Sequence, residues 1–217
     1  MPLLQANSRH GRLLHMDVPT LPAGAQYPAW RTRSFDESPT LMAQAVAMLS
    51  PGASTPSTLS LTPDEAHIAV AQMRLVSCPP GTQLFREGER TRSDHMLFLL
   101  EGEVSVDTAQ GATAESTSIS VLGPGSMIGE MAMLDGAPRS ASCTTVSAVQ
   151  AAGLSRLGLE RLLEQQPRVA AKLLALLAHV TSDRLRALNE QLVLYAQLNS
   201  HLREQIDASS RFFQPTV

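Results

Sequence analysis

The chain has 217 residues, a formal net charge of -3, 43% hydrophobic but only 4% aromatic residues, and two cysteines. Such a length fits one domain with extensions or two small domains, and the composition suits a core of Leu, Ala, Val and Met. Nothing in the charge balance favours nucleic acid, no apolar run approaches the roughly 18 residues of a membrane span, and the N-terminus lacks a basic-then-apolar leader. A cytoplasmic protein is therefore expected. Cys78 and Cys143 are too few for an iron-sulfur cluster or a thiolate zinc site, and they are expected as small buried thiols in strands, with no metal.

Residues 1–60 hold seven of the fourteen prolines and little periodicity, and are expected to form a Pro/Ser-rich, largely disordered or loosely attached arm. Within it, Leu41, Met42, Ala45, Val46 and Leu49 give one apolar face to a short helix over Thr40 to Leu49. Trp30, the only tryptophan, forms with Tyr27 and Phe35 an aromatic group that anchors either a partner or the domain's own surface. Arg31-Thr32-Arg33-Ser34 resembles a basic phosphorylation site. A helix then opens at Thr62, with Pro63 at its first position and Glu65 completing a capping box.

After Pro79-Pro80-Gly81 the pattern changes to short strands: Thr82 to Arg86, Met96 to Leu100, Glu103 to Asp107, Ser116 to Leu122 and Arg139 to Thr145, separated by glycine-containing turns. Strands this short and this closely spaced suggest a sandwich or barrel, with the jelly roll one way to protect the edges. Past Leu154 the chain reads as helical. Leu159, Leu162 and Leu163 mark a short helix that stops near Pro167, and from Arg168 no Pro or Gly occurs until Pro215. Leu185, Leu188, Leu192, Tyr195, Asn199, Leu202 and Ile206 recur three and four residues apart, and the same register carried back includes Ala178 and Thr181. Asn199 sits at an a-like position, where a buried amide favours a parallel, in-register pair. The seam predicts a homodimer; the alternative is a helix folded back on the roll.

The chemistry concentrates in Ile128 to Thr145. Gly129 and Gly136 allow tight turns, Glu130 to Leu134 is long enough for one helical turn, and Arg139 follows Glu130 by nine residues ahead of the small run Ser140, Ala141, Ser142, Cys143, Thr144. Helix amides and a guanidinium suit a phosphate, and a carboxylate beside them suits a sugar hydroxyl.

This stretch resembles the phosphate-binding cassette of cyclic nucleotide-binding domains, whose pattern of Phe-Gly-Glu-(Leu/Met)-Ala-Leu, a short loop and Pro-Arg-x-Ala is matched by Gly129, Glu130, Met131, Ala132, Pro138, Arg139 and Ala141. Ile128 replaces the usual Phe. Gly81, Gly88, Gly102, Gly123, Gly125 and Gly129 resemble the turn positions of the same family. The resemblance implies a double-stranded β-helix, or jelly roll, mainly β with flanking N-terminal helices and a long C-terminal dimerisation helix, divided as 1–60 (arm), 61–165 (roll with flanking helices) and 166–210 (coiled-coil helix). It implies that Glu130 holds the ribose 2'-hydroxyl and Arg139 the cyclic phosphate, and that the amides of Ala132 and Ser140 meet its oxygens. Val180-Thr181-Ser182-Asp183-Arg184 resembles the part of the long helix in catabolite activators where a Thr and the next Ser, the latter from the other subunit, contact adenine; alternatively both hydroxyls bond back to their own helix.

The function expected is therefore a cyclic nucleotide sensor, cAMP rather than cGMP, that passes the signal through its C-terminal helix to a protein partner of unknown identity. The alternatives are a ligand-free dimeric scaffold with a degenerate cassette, or a transcription regulator acting through a separate DNA-binding subunit. Only eleven residues follow Ile206, whereas a family transcription factor carries roughly 70 more as a winged helix-turn-helix, so direct DNA binding is not expected. No nucleophile, base and orienting group recur at a usable spacing, and an enzyme is not expected either.

Overall fold

The computed structural model describes residues 30–50, 59–109 and 116–212. Strand β1 (Arg31–Arg33) leads through a 3-10 turn at Phe35–Glu37 into α1 (Pro39–Leu49) and α2 (Pro63–Ala71). Next come β2 (Arg74–Cys78), β3 (Gln83–Phe85), β4 (His95–Glu101), β5 (Val104–Ala109), β6 (Ser116–Leu122) and β7 (Met127–Ile128). A short helix α3 (Glu130–Asp135) precedes β8 (Ser142–Thr145) and β9 (Val149–Ser155), and two helices, α4 (Arg156–Gln165) and α5 (Pro167–Phe212), end the described chain.

The strands form two antiparallel sheets, one in the order β1-β2-β9-β4-β7 and the other β3-β8-β5-β6, which face each other as a jelly roll. Alternation along β4 explains why His-Met-Leu-Phe-Leu-Leu-Glu is apolar almost throughout. Met96, Phe98 and Leu100 point to the helices, whereas Leu97 and Leu99 point to the second sheet, so both faces are buried. Leu75 and Val76 of β2, and Ala152 and Ala151 of β9, divide in the same way. Gly153 is held by space: a Cβ there would lie 3.1 Å from the Val76 side chain.

The expected capping box is present, with the Glu65 amide donating to Thr62 Oγ1 and the Thr62 amide to Glu65 Oε2. The expected strands appear with shifted ends, and Arg139 precedes β8 rather than opening it. Strands β1, β2, β7 and β9 add to the expected set. Residues 30–50, expected within a loosely attached arm, are part of the domain. There β1 pairs with β2, Phe35 and Leu49 are buried with the helices, and Gln44 Nε2 donates to the Leu100 carbonyl at 2.8 Å. Burial of each such large apolar side chain is worth about 1.5–3 kcal/mol, ample to fix a short segment. The rest of that arm, residues 1–29 and 51–58 with Tyr27 among them, lies outside the described residues.

Helix α5 is 46 residues long, or about 69 Å at 1.5 Å per residue. Val169, Ala170, Leu173 and Leu177 bury its first turns, and Lys172, itself buried, donates to Glu65 Oε2 at 2.5 Å. Past Leu177 the apolar seam leaves the domain: Leu185, Leu192, Tyr195 and Ile206 are about 60% exposed. From Leu192 onward the seam is therefore not folded back on the roll. No helix among the described residues is long and apolar enough to cross a membrane.

Candidate functional site

A cavity of about 280 Å3 opens between the second sheet, α3 and α5. One wall is the cassette: Phe85, Gly129, Glu130, Met131, Ala132, Arg139, Ser140 and Cys143 all line it. The facing wall is one side of α5, formed by Arg184, Ala187, Leu188 and Gln191. Small-molecule sites begin at about 300 Å3, so the volume suits one compact ligand.

Gly129 makes the turn into α3 with φ 76°, and any Cβ at that position would lie 2.5 Å from Arg139 Nη1 and 2.8 Å from the Phe85 ring. Glycine is therefore required twice over, by backbone conformation and by space. No side chain caps α3, whose first-turn amides belong to Glu130, Met131 and Ala132. Its other end is held by Arg156, which donates from Nε to the Met133 carbonyl at 2.9 Å and from Nη2 to the Ala132 carbonyl at 3.2 Å. Arg156 is also the first residue of α4, so one side chain ties the cassette helix to the helices that follow.

Arg139 is fixed from both main chain and side chain. Its amide donates to the Glu89 carbonyl, and its carbonyl accepts from the Gly88 amide. The guanidinium lies 3.8 Å from the Phe85 ring centroid; Nη1 donates to the Gly129 carbonyl at 2.7 Å, and Nη2 to the His95 carbonyl at 2.8 Å and to the Arg92 carbonyl. Only Nε is buried without a hydrogen-bond partner. Burial pulls its pKa down to about 10, so the group remains a cation at neutral pH. Arg139 thus brings a buried cation, one of its N-H groups unpartnered, to a cavity-lining position, and such a charge is what an anion would satisfy.

Glu130 is equally buried, and its Oε1 accepts from Arg184 Nη1 at 2.6 Å, while Arg184 Nη2 donates to the Met127 carbonyl. The carboxylate of one wall is thus bonded to a cation of the other. Cys143, in the same lining, is inert: burial pushes its thiol up to about 12, as it pushes Cys78 up to about 11.

Of the residues singled out in the sequence, Gly129, Glu130, Met131, Ala132, Arg139 and Ser140 come together in one lining. Thr181 and Ser182 do not join them. Their hydroxyls donate back to the Leu177 and Ala178 carbonyls at 2.9 and 2.8 Å, and the helix residues that reach the cavity lie one to three turns further on. The physical reason is that Lys172 and the buried first turns fix where α5 crosses the cassette, and at that crossing the side chain aimed at Glu130 is Arg184. The spacing 184, 187, 188, 191 is itself a helical stripe beside the seam, which was the available signal. Among the described residues no cluster of His, Cys, Asp or Glu could hold a metal ion.

Residues 75–166 match the cyclic nucleotide-binding domain model. That stretch of the chain belongs to the cyclic nucleotide-binding domain family. Among curated relatives, the CRP-like cAMP-activated global transcriptional regulator of Mycobacterium tuberculosis is 30% identical over 121 residues, which is 56% of this chain and 51% of the relative. A cyclic nucleotide-gated potassium channel of Mesorhizobium japonicum is 34% identical over 46% of this chain and 26% of its own. The chain spans about half the length of the first of these. Among solved structures, a cyclic nucleotide-binding domain from Methylobacillus flagellatus superposes with a TM-score of 0.65 at 28% identity, covering 74% of this chain and 85% of that one. The Thermus thermophilus catabolite activator protein does so with 0.54 at 28%, covering 69% and 63%.

Proposed function

We propose that the chain is a cyclic nucleotide sensor whose ligand, cAMP in preference to cGMP, binds in the cavity between the cassette and α5 and changes how α5 is presented to a partner. The observation that carries this is the placement of Glu130 and Arg139 in one lining that α5 completes. Arg139 Nε and the α3 amides take the cyclic phosphate, and Glu130 takes the ribose hydroxyl. Because Glu130 is already bonded to Arg184, the hydroxyl competes with, or re-aims, a group on the helix. Occupancy and helix position are thereby linked, and only such differential contact can shift a two-state balance.

The partner surface follows from the seam. Leu188 lines the cavity and also lies in the exposed apolar stripe that runs through Leu192, Tyr195 and Ile206, so a second copy of α5 packed there lies beside the ligand. We assign a cytoplasmic homodimer in three parts: an N-terminal segment, the roll with its flanking helices, and the long helix, which signals to a protein effector. Cyclic mononucleotides should be added singly to the wild type and Arg139→Ala while thermal stability is followed. At 100 times its dissociation constant the true ligand adds about 2.7 kcal/mol to the wild type, and the variant at the same concentration gains far less.

One observation favours a second reading, a ligand-free dimeric scaffold: Arg139 and Glu130 are both largely satisfied within the chain. Under that reading no cyclic nucleotide shifts the melting curve, while dimerisation persists in Arg139→Ala.

A further inference from the structure

The Arg139 guanidinium is held by four groups, and three of them belong to residues that rest on one side chain outside the matched stretch. Trp30, delivered by the pairing of Arg31 with Ser77 at the start of β1, lies edge-to-face with His95 at 5.6 Å between ring centroids and with Phe85 at 6.4 Å. The Arg92 guanidinium sits 4.9 Å from its ring centroid. Phe85 is the platform under the Arg139 guanidinium, and the carbonyls of Arg92 and His95 are the two acceptors of its Nη2. The Trp30 indole N-H is buried and makes no hydrogen bond, so the ring is held by faces and edges alone. Edge-to-face aromatic pairs and a cation over an aromatic ring are each worth about 0.5–1.5 kcal/mol, enough together to fix the residues that carry those carbonyls.

We infer that Trp30 is a positioning residue for Arg139, so that the segment before the cyclic nucleotide-binding stretch completes the phosphate half of the site without touching ligand. The platform and both carbonyls lose their common support when the indole is removed. The guanidinium then samples other positions, and its charge is no longer held at the cavity lining. This inference rests on the cassette being a phosphate site for its effect on affinity, but not for the coupling between the two side chains.

The full chain should be titrated calorimetrically with adenosine 3',5'-cyclic monophosphate as wild type, Trp30→Ala, Trp30→Phe, Arg139→Ala and the double Trp30→Ala/Arg139→Ala. Trp30→Ala weakens binding about tenfold, Trp30→Phe recovers most of the loss, and in the Arg139→Ala background removing Trp30 costs nothing further. Equal losses in both backgrounds, or an unchanged affinity in Trp30→Ala, overturn the inference. If the wild type itself fails to bind, the ligand reading is what has failed, and the coupling is judged without ligand. Trp30 is the only tryptophan in the chain, so its emission in folded Arg139→Ala reports whether the two groups communicate. A shifted emission maximum supports the inference, and an unchanged spectrum overturns it. That arm also serves should Trp30→Ala not fold.

Discussion

The two walls of the cavity are built on opposite principles. On the cassette side the two charged groups, Glu130 and Arg139, are buried and the frame is bonded in place: Arg139 by three carbonyls and a ring, α3 by Arg156, and Gly129 by the absence of room for anything larger. On the helix side the lining residues stand on a part of α5 that the domain has ceased to cover, and among the described residues the Arg184 pair with Glu130 and its bond to the Met127 carbonyl are the hydrogen bonds that tie it to the cassette. A fixed wall confers affinity in advance of binding, whereas a weakly held wall is the part that a ligand can move. The boundary between the two regimes falls after Leu177, since Lys172 and its partner Glu65 pin the helix until then. Burial beside that cation holds no mystery for the acid: the hydrogen bond from Lys172 keeps the Glu65 carboxyl below its ordinary range.

The largest effect expected from breaking this contrast belongs to the fixed wall. Arg139→Ala removes a charge-assisted donor and is expected to weaken cAMP binding about a hundredfold, with the oligomeric state unchanged by light scattering. Next in size is the seam. Leu192→Asp places a charge in the stripe beyond the cavity and is expected to weaken self-association by about 2 kcal/mol, measured by sedimentation equilibrium, while changing cAMP affinity far less than Arg139→Ala does. A Leu192→Asp variant that lost binding as completely as Arg139→Ala would show that the two walls are not separable.

Smaller again is the tie between the walls. Arg184→Ala leaves the buried Glu130 carboxylate without its cation; because the Arg184 side chain is about a third exposed, a loss of only about 1 kcal/mol in unfolding free energy is expected. Saturating cAMP should return part of that loss if, as proposed, the ribose hydroxyl donates to the same carboxylate. Equal loss with and without ligand would mean that Arg184 and the sugar do not share Glu130.

Legibility in the sequence followed the same division. The cassette could be read because its chemistry is contiguous: Gly129, Glu130, Arg139 and Ser140 lie within twelve positions, and a turn, a helix start and a strand are local events. The support beneath it could not, since Trp30, Phe85, Arg92 and His95 meet only through sheet pairing across 65 positions. Strand β9 was hidden for another reason: Val-Gln-Ala-Ala-Gly-Leu-Ser has a single β-branched residue, Val149, too few to signal a strand, and its small residues serve close packing against β2 and β4. Helical periodicity disclosed the seam but not which turn of α5 crosses the cassette. That register is set by Lys172 and Glu65, over a hundred positions apart, and it brings Arg184 rather than Thr181 to the site.

The smallest expected effect tests the fixed wall from behind. His95 is packed between Trp30 and Phe85, and burial pulls its pKa below the ordinary 6.5; Arg139 and Arg92 push the same way, against the opposing bond from Nδ1 to Asp94. The unfolded chain therefore binds this proton more readily than the native one. Stability is full above pH 6.5 and declines as pH falls from there toward the lower native value, because the charged imidazole is disfavoured by burial and, to a lesser degree, by the two arginines. Asp94, whose carboxyl the His95 bond holds down, acts in a separate window below 3.8, where acid removes its contribution. Urea unfolding of wild type and His95→Gln across this range separates the two: the wild type loses stability from pH 6.5 downward, and the variant holds level until the carboxylates protonate. Matching slopes for the two proteins would place the acid sensitivity elsewhere and leave the wall behind Arg139 indifferent to pH, whereas a slope present only in the wild type makes the fixed half of the site the one that acid can loosen.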